Sequence, residues 1–129
     1  MTLRSNQSNK YMWSLIDKLA EKQGKEYMDA YKELIHKYGK YIWVLVPEDE
    51  VNEFLLQWTA HGSGWYAERI KEKSNGIACR VYKGTSMYQV EEMQRFIEAI
   101  QSECKQYGIE TLTPAELAEL IGVHTNEKR

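Results

Sequence analysis

Three histidines, two cysteines, two acidic clusters and a serine between glycines are the residues of this 129-residue chain whose types suit catalysis or metal binding. A metal site needs three or four such ligands at recognisable spacings. His36, His61 and His124 stand too far apart to pair, and no His-Asn-His nuclease pattern can be assembled from them. Only His61, in the loop His61-Gly62-Ser63-Gly64, is placed like an active-site histidine. Ser63 lacks the G-x-S-x-G spacing of a nucleophile elbow. Glu48-Asp49-Glu50 and Glu91-Glu92 have the charge to hold Mg²⁺, yet each lies in the first turn of a predicted helix, where the dipole favours acids anyway. Cys79 falls in a predicted strand and Cys104 on the apolar face of a predicted helix, so both read as core thiols. No glycine-rich phosphate loop is present. None of these groups makes a catalytic, metal or cofactor site by type and spacing alone, so no catalytic residue, metal or cofactor is expected from them.

A different chemistry is available between residues 65 and 83. Trp65, Tyr66, Arg69, Lys71, Lys73, Arg80, Tyr82 and Lys83 interleave aromatic and basic side chains there. Single-strand binders use this mixture, with cations tracking phosphates while aromatic faces stack on bases. The plainer alternative is that Trp65 and Tyr82 fill the core and the bases point to solvent. A net charge of −2 argues against a general polyanion binder, but the charge is uneven. Residues 1–41 hold eight Lys and Arg against five Asp and Glu, 69–83 hold five against one, and 88–120 hold two against seven.

The elements that must position these groups follow from periodicity. Met12, Leu15, Ile16 and Leu19 predict a helix over 6–22, and Tyr27, Tyr31, Leu34, Ile35 and Tyr38 a second over 26–38. Tyr41-Ile42-Trp43-Val44-Leu45-Val46 is a charge-free run of β-formers, predicting a central strand buried on both faces. Pro47 and the acids after it open a helix over 48–59. Asn75-Gly76 marks a hairpin leading to a strand over 77–82, while 66–72 reads as a strand or a helical turn. Thr85 or Ser86 caps a long helix carrying Val90, Met93, Phe96, Ile97, Ile100 and Cys104. Thr113-Pro114-Ala115-Glu116 is a capping box for a last helix. The predicted core includes Leu15, Leu19, Ile35, Trp43, Leu45, Phe54, Val81, Phe96, Ile97 and Ile100. This is one helix-rich α+β domain over 1–129, with a small antiparallel or mixed sheet. No run of about 18 apolar residues suggests a membrane span, and no apolar leader follows Met1, so the cytoplasm is the expected compartment.

Two segments carry a family resemblance. Arg4-Ser5-Asn6-Gln7-Ser8-Asn9-Lys10-Tyr11-Met12-Trp13 resembles the opening R-S-x-x-Q-N-x-K-x-W of the bacteriophage NinB (Orf) recombination proteins. Thr85 to Glu98, with Tyr107-Gly108-Ile109, is similar to that family's serine-capped helix. The likeness covers the first ~20 residues and 81–112, and the chain resembles divergent members carried by prophages; here the Arg-to-Gln spacing is one residue shorter, and the middle third has no counterpart. The resemblance implies a non-catalytic recombination mediator with a NinB-like fold. It would bind single-stranded DNA, interact with single-strand-binding protein, assist loading of a recombinase, and form a homodimer. A large aromatic load gives the dimer a second motive, with Trp13, Tyr27 or Tyr31 as interface groups unless they pack internally. The candidate DNA contacts are Arg4 and Lys10 from the family-like opening, with Trp65, Arg69, Lys71, Lys73, Arg80, Tyr82 and Lys83 from the strip. The competing classes are an adaptor that binds protein alone through Glu98, Glu103, Glu110 and Glu119, and a Mg²⁺ nuclease built on an acidic cluster.

Overall fold

The computed structural model describes residues 6–122. Its elements run α1 (Asn6–Gln23), α2 (Tyr27–Tyr38), β1 (Tyr41–Val46), α3 (Val51–Thr59), β2 (Tyr66–Lys73), β3 (Gly76–Tyr82), α4 (Val90–Gln106) and α5 (Pro114–Ile121). The fold is α+β: helix-rich, with one small antiparallel sheet. It divides into two compact units. One takes in the described residues up to Tyr31 and from Tyr88 onward, and the other is Lys32–Met87.

In the first unit α1, α4 and α5 pack on one another. The apolar stripes read from the sequence are the buried faces: Met12, Leu15, Ile16 and Leu19; Met93, Phe96, Ile97, Ile100 and Cys104; Leu117 and Ile121. Each fully buried side chain of this size contributes about 1.5–3 kcal/mol of transfer free energy. A polar tie sits among them. Tyr11 Oη accepts from Gln101 Nε2 at 3.0 Å and from the Leu112 amide at 2.9 Å, fixing the segment that leads into α5. Thr113 and Glu116 cap α5 reciprocally, as expected. The long helix starts later than its Thr85 or Ser86 signal. Thr85–Met87 form a separate 3₁₀ turn, and α4 begins at Val90 with the Glu92 carboxylate accepting from the Gln89 amide at 2.9 Å. Trp13 packs against the rings of Tyr27 and Tyr31, and Glu103 is buried rather than exposed.

The second unit is built on the sheet, whose order is β1-β3-β2. Residues 66–73 are therefore strand, and the hairpin forms. Its loop is Ser74-Asn75, and Gly76 opens β3 at φ +145°, where an added Cβ would meet the Val46 carbonyl oxygen at 2.7 Å. One face of the sheet packs on α3. Val46, Ile77, Cys79, Val81 and Val51 form its buried cluster, flanked by half-buried Val44, Phe54, Leu55, Trp58 and Ala67.

The central strand is β3, not β1. β1 lies at an edge, and Trp43 and Leu45, expected in the core, are exposed. A charge-free apolar run is what a strand buried on both faces shows. Here Val44 and Val46 serve the α3 side while Tyr41, Trp43 and Leu45 stand exposed on the other side.

Candidate nucleic-acid interface

The face opposite α3 carries the chemistry. In the β1–β3 register Tyr41, Trp43 and Leu45 stand beside Tyr82, Arg80 and Ala78. In the β2–β3 register Tyr66, Glu68, Lys71 and Lys73 stand beside Tyr82, Arg80, Ala78 and Gly76. Strict alternation would place Arg69, Lys71 and Lys73 on one side of β2. A bulge between Arg69 and Lys71 breaks it. Arg69 pairs with Cys79 and shares the α3 side, while Lys71 and Lys73 are turned onto the side of Arg80 and Trp43. The extra residue, Ile70, is exposed there.

Glu68 organises this face. Its Oε2 accepts from Arg80 Nη2 at 3.0 Å, Arg80 Nε at 3.2 Å and Tyr82 Oη at 3.3 Å, and it lies 3.1 Å from His36 Nε2 of α2. The guanidinium is thereby held beside two aromatic neighbours on β1, its carbon 4.9 Å from the Tyr41 ring centre and 5.7 Å from that of Trp43. Charge-assisted bonds of this kind are the strong ones, and a guanidinium over a ring adds cation–π attraction. The Tyr82 ring is only 1% exposed and packs among Tyr41, Tyr66 and His36. It backs the platform and presents no free face to a base. Burial first, then the Glu68 charge, raises the Tyr66 hydroxyl above its ordinary value; burial likewise raises Tyr82, so both phenols stay protonated at neutral pH.

Toward the hairpin the face opens into a hollow of about 560 Å³ lined by Trp43, Leu45, Ile70, Lys71, Lys73 and Ala78. Among the described residues no carboxylate pairs with Lys71 or Lys73. An apolar floor with an exposed indole and two unpaired ammonium groups at its rim can hold a flat aromatic group by stacking and an anion by charge.

The remaining expected contacts lie elsewhere. Trp65 is half-buried; His61 stacks on it at 4.7 Å and Trp58 meets it edge-on at 5.2 Å. His61 Nδ1 in turn lies 3.1 Å from the Gln57 and Trp58 carbonyl oxygens at the end of α3, where it donates as a helix cap. Lys83 lines a small hollow with Ile42, Trp58 and Val81. Lys10 is exposed on α1, in the other unit. Arg4 lies outside the described residues. The structure thus brings together Lys71, Lys73 and Arg80, and adds Tyr41, Trp43, Leu45 and Glu68, which the sequence reading assigned to the core or did not single out. Among the described residues no three His, Cys, Asp or Glu gather as metal ligands, and no helix is long and apolar enough to cross a membrane. Comparison with protein-family models, with curated proteins and with solved structures finds no match for the chain.

Proposed function

We propose that the protein is a non-catalytic binder of single-stranded nucleic acid, which it holds across the open face of its sheet. The observation that carries this reading is the arrangement around Arg80: a guanidinium fixed by Glu68 beside two exposed rings, with Lys71 and Lys73 on the same face. A base stacks on Trp43, which is 54% exposed, while the lysines and the outer edge of Arg80 meet the flanking phosphates. A duplex keeps its bases stacked on one another and offers no free ring face to Trp43, so single strands are preferred. The likeness of residues 4–13 and 85–98 to NinB proteins supplies DNA as the nucleic acid and recombination mediation as the role. Both rest on that likeness alone. The test is fluorescence anisotropy with labelled single- and double-stranded oligonucleotides. Trp43→Ala is expected to weaken single-strand binding by about 1–3 kcal/mol, the range for loss of one stacked base. Trp65→Ala is expected to lower the melting temperature instead. Equal affinity of wild type and Trp43→Ala, or no binding by wild type at low salt, would leave a protein-only adaptor as the better account of the exposed Trp43, Leu45 and Ile70.

A further inference from the structure

We propose that the hollow between α2 and the loop before β2 binds a phosphate monoester carried on a flat ring, the chemistry of a mononucleotide. The hollow measures about 460 Å³, within the range of small-molecule sites. Lys32 of α2, Thr59 at the end of α3, the loop 62–64, Trp65 and Tyr66 line it. All belong to the unit Lys32–Met87. Tyr66 opens β2, so this hollow lies at the opposite end of that strand from the one beside Lys71 and Lys73. Three donors are left over in it. Lys32 is exposed at the rim and pairs with no carboxylate among the described residues. The loop supplies the other two. Its outer amides are committed, Gly62 donating to the Thr59 carbonyl at 3.5 Å and Trp65 to the Gly62 carbonyl at 3.2 Å. The Ser63 and Gly64 amides between them have no acceptor among the described residues, and Gly64 is buried. A buried amide without a partner is rare, and successive amides at a turn make a concavity suited to an anion. No carboxylate lines the hollow to repel one.

The donor set and the walls select the ligand. A phosphate monoester offers three acceptor oxygens and a charge of about −1.5 to −2 near pH 7, whereas a carboxylate offers two oxygens and a single charge. The walls suit a ring, since Trp65 is half-buried and Tyr66 is 37% exposed. Both are held in place. His61 stacks on Trp65, and the His36 ring meets Tyr66 edge-on at 5.1 Å. The loop is fixed from behind by Gly84, where an added Cβ would meet the Ser63 carbonyl oxygen at 2.8 Å and Trp65 Nε1 at 3.0 Å. Gly64 turns the chain at φ +85°, a conformation open to glycine. A site whose parts already stand in position loses little to ordering when it binds. The glycine patterns of familiar nucleotide sites lead from a strand into a helix. This loop leads from a helix into a strand and takes its cation from α2, so no such pattern announces it.

The test is isothermal titration calorimetry of the full chain with adenosine monophosphate, adenosine and inorganic phosphate. Wild type should bind the monophosphate, and each of the other two at least about tenfold more weakly, since each keeps only the ring or only the charge. Lys32→Ala, at an exposed helix position, should melt as wild type does and weaken the monophosphate about tenfold, the loss of one hydrogen bond to a charged group. Gly84→Ala, which displaces the loop, should weaken it as well. The site does not rest on the nucleic-acid reading, so Lys32→Ala should leave binding of an unphosphorylated oligonucleotide unchanged. Competition separates two sources of the same chemistry. Displacement by a 5′-phosphorylated oligonucleotide but not by its 5′-hydroxyl twin makes this a holder of strand ends, and displacement by neither makes it a site for free mononucleotides. Displacement by both alike, or loss of binding in Trp43→Ala but not in Lys32→Ala, would put the ligand in the sheet-face hollow and overturn the proposal. Equal affinity for adenosine and its monophosphate, or no heat from wild type at about 1 mM monophosphate, would overturn it too.

Discussion

Glu68 is a single side chain on which four donor atoms converge, and three of them belong to Arg80 and Tyr82 of β3. Removing it leaves the buried Tyr82 hydroxyl without that acceptor and Arg80 without its anchor. Glu68→Ala should therefore cost about 1–3 kcal/mol in chemical denaturation, the penalty for an orphaned buried polar group. Tyr82→Phe on top of it should cost less than it does alone, because the two share one interaction. An additive double variant would show that Glu68 and Tyr82 act separately. Cys104 makes a second residue-scale case. Burial first, then the neighbouring Glu103 charge, pushes its thiol up to about 11 from an ordinary value near 9. The folded state holds that proton more tightly than the unfolded chain, so this contribution is complete below about pH 9 and is lost as pH rises through about 11. Cys104→Ala should show a correspondingly smaller loss of stability between pH 8 and pH 11 in denaturant titrations. Cys104 was legible as a core residue from its place in a helical stripe. Glu68 was not: nothing in a β-strand's sequence says which of its charges will stand opposite a basic side chain on the next strand of the hairpin.

At the scale of elements, the helices were readable because burial repeats along one chain segment and their caps are local. The sheet was harder because its order and its faces are set by partners far away in sequence. Tyr41–Val46 shows this most clearly, since the same apolar run serves a central strand or an unguarded edge. The bulge at Arg69–Lys71 has no glycine to announce it, yet it decides which face Lys71 and Lys73 join. The hairpin was announced by Asn75-Gly76, and the glycine has a second duty. Its φ of +145° disfavours any L side chain, and a Cβ there would collide with the Val46 carbonyl that β1 presents. Gly76→Ala should destabilise the protein by about 1–3 kcal/mol through this strain. It should also loosen β1 more than α1, α4 and α5, which hydrogen exchange would resolve segment by segment. Uniform loss of protection across both units would contradict a local effect at the β1–β3 pair.

For the whole molecule, the net charge of −2 conceals where the cations are. Seven acids lie between 88 and 120, whereas Lys71, Lys73 and Arg80 share one face in the unit Lys32–Met87. If overall charge governed association, raising salt would screen a repulsion and strengthen binding to a polyanion. If the local face governs it, each cation that meets a phosphate releases counterions, and affinity falls with salt at a log–log slope of about −0.7 per contact on a single strand. Two to three contacts give a slope of about −1.4 to −2.1. Lys73→Ala should flatten it by about 0.7 and weaken binding to all sequences alike, because a phosphate contact carries no base information. Trp43→Ala should leave the slope where it is while lowering affinity, because stacking releases no counterions. Anisotropy titrations at several salt concentrations separate these effects. A wild-type slope near zero or positive would remove the basic face from the account. A slope much steeper than −2.1 that Lys73→Ala does not change would move the phosphate contacts to cations off this face, Arg69 and Lys83 among them.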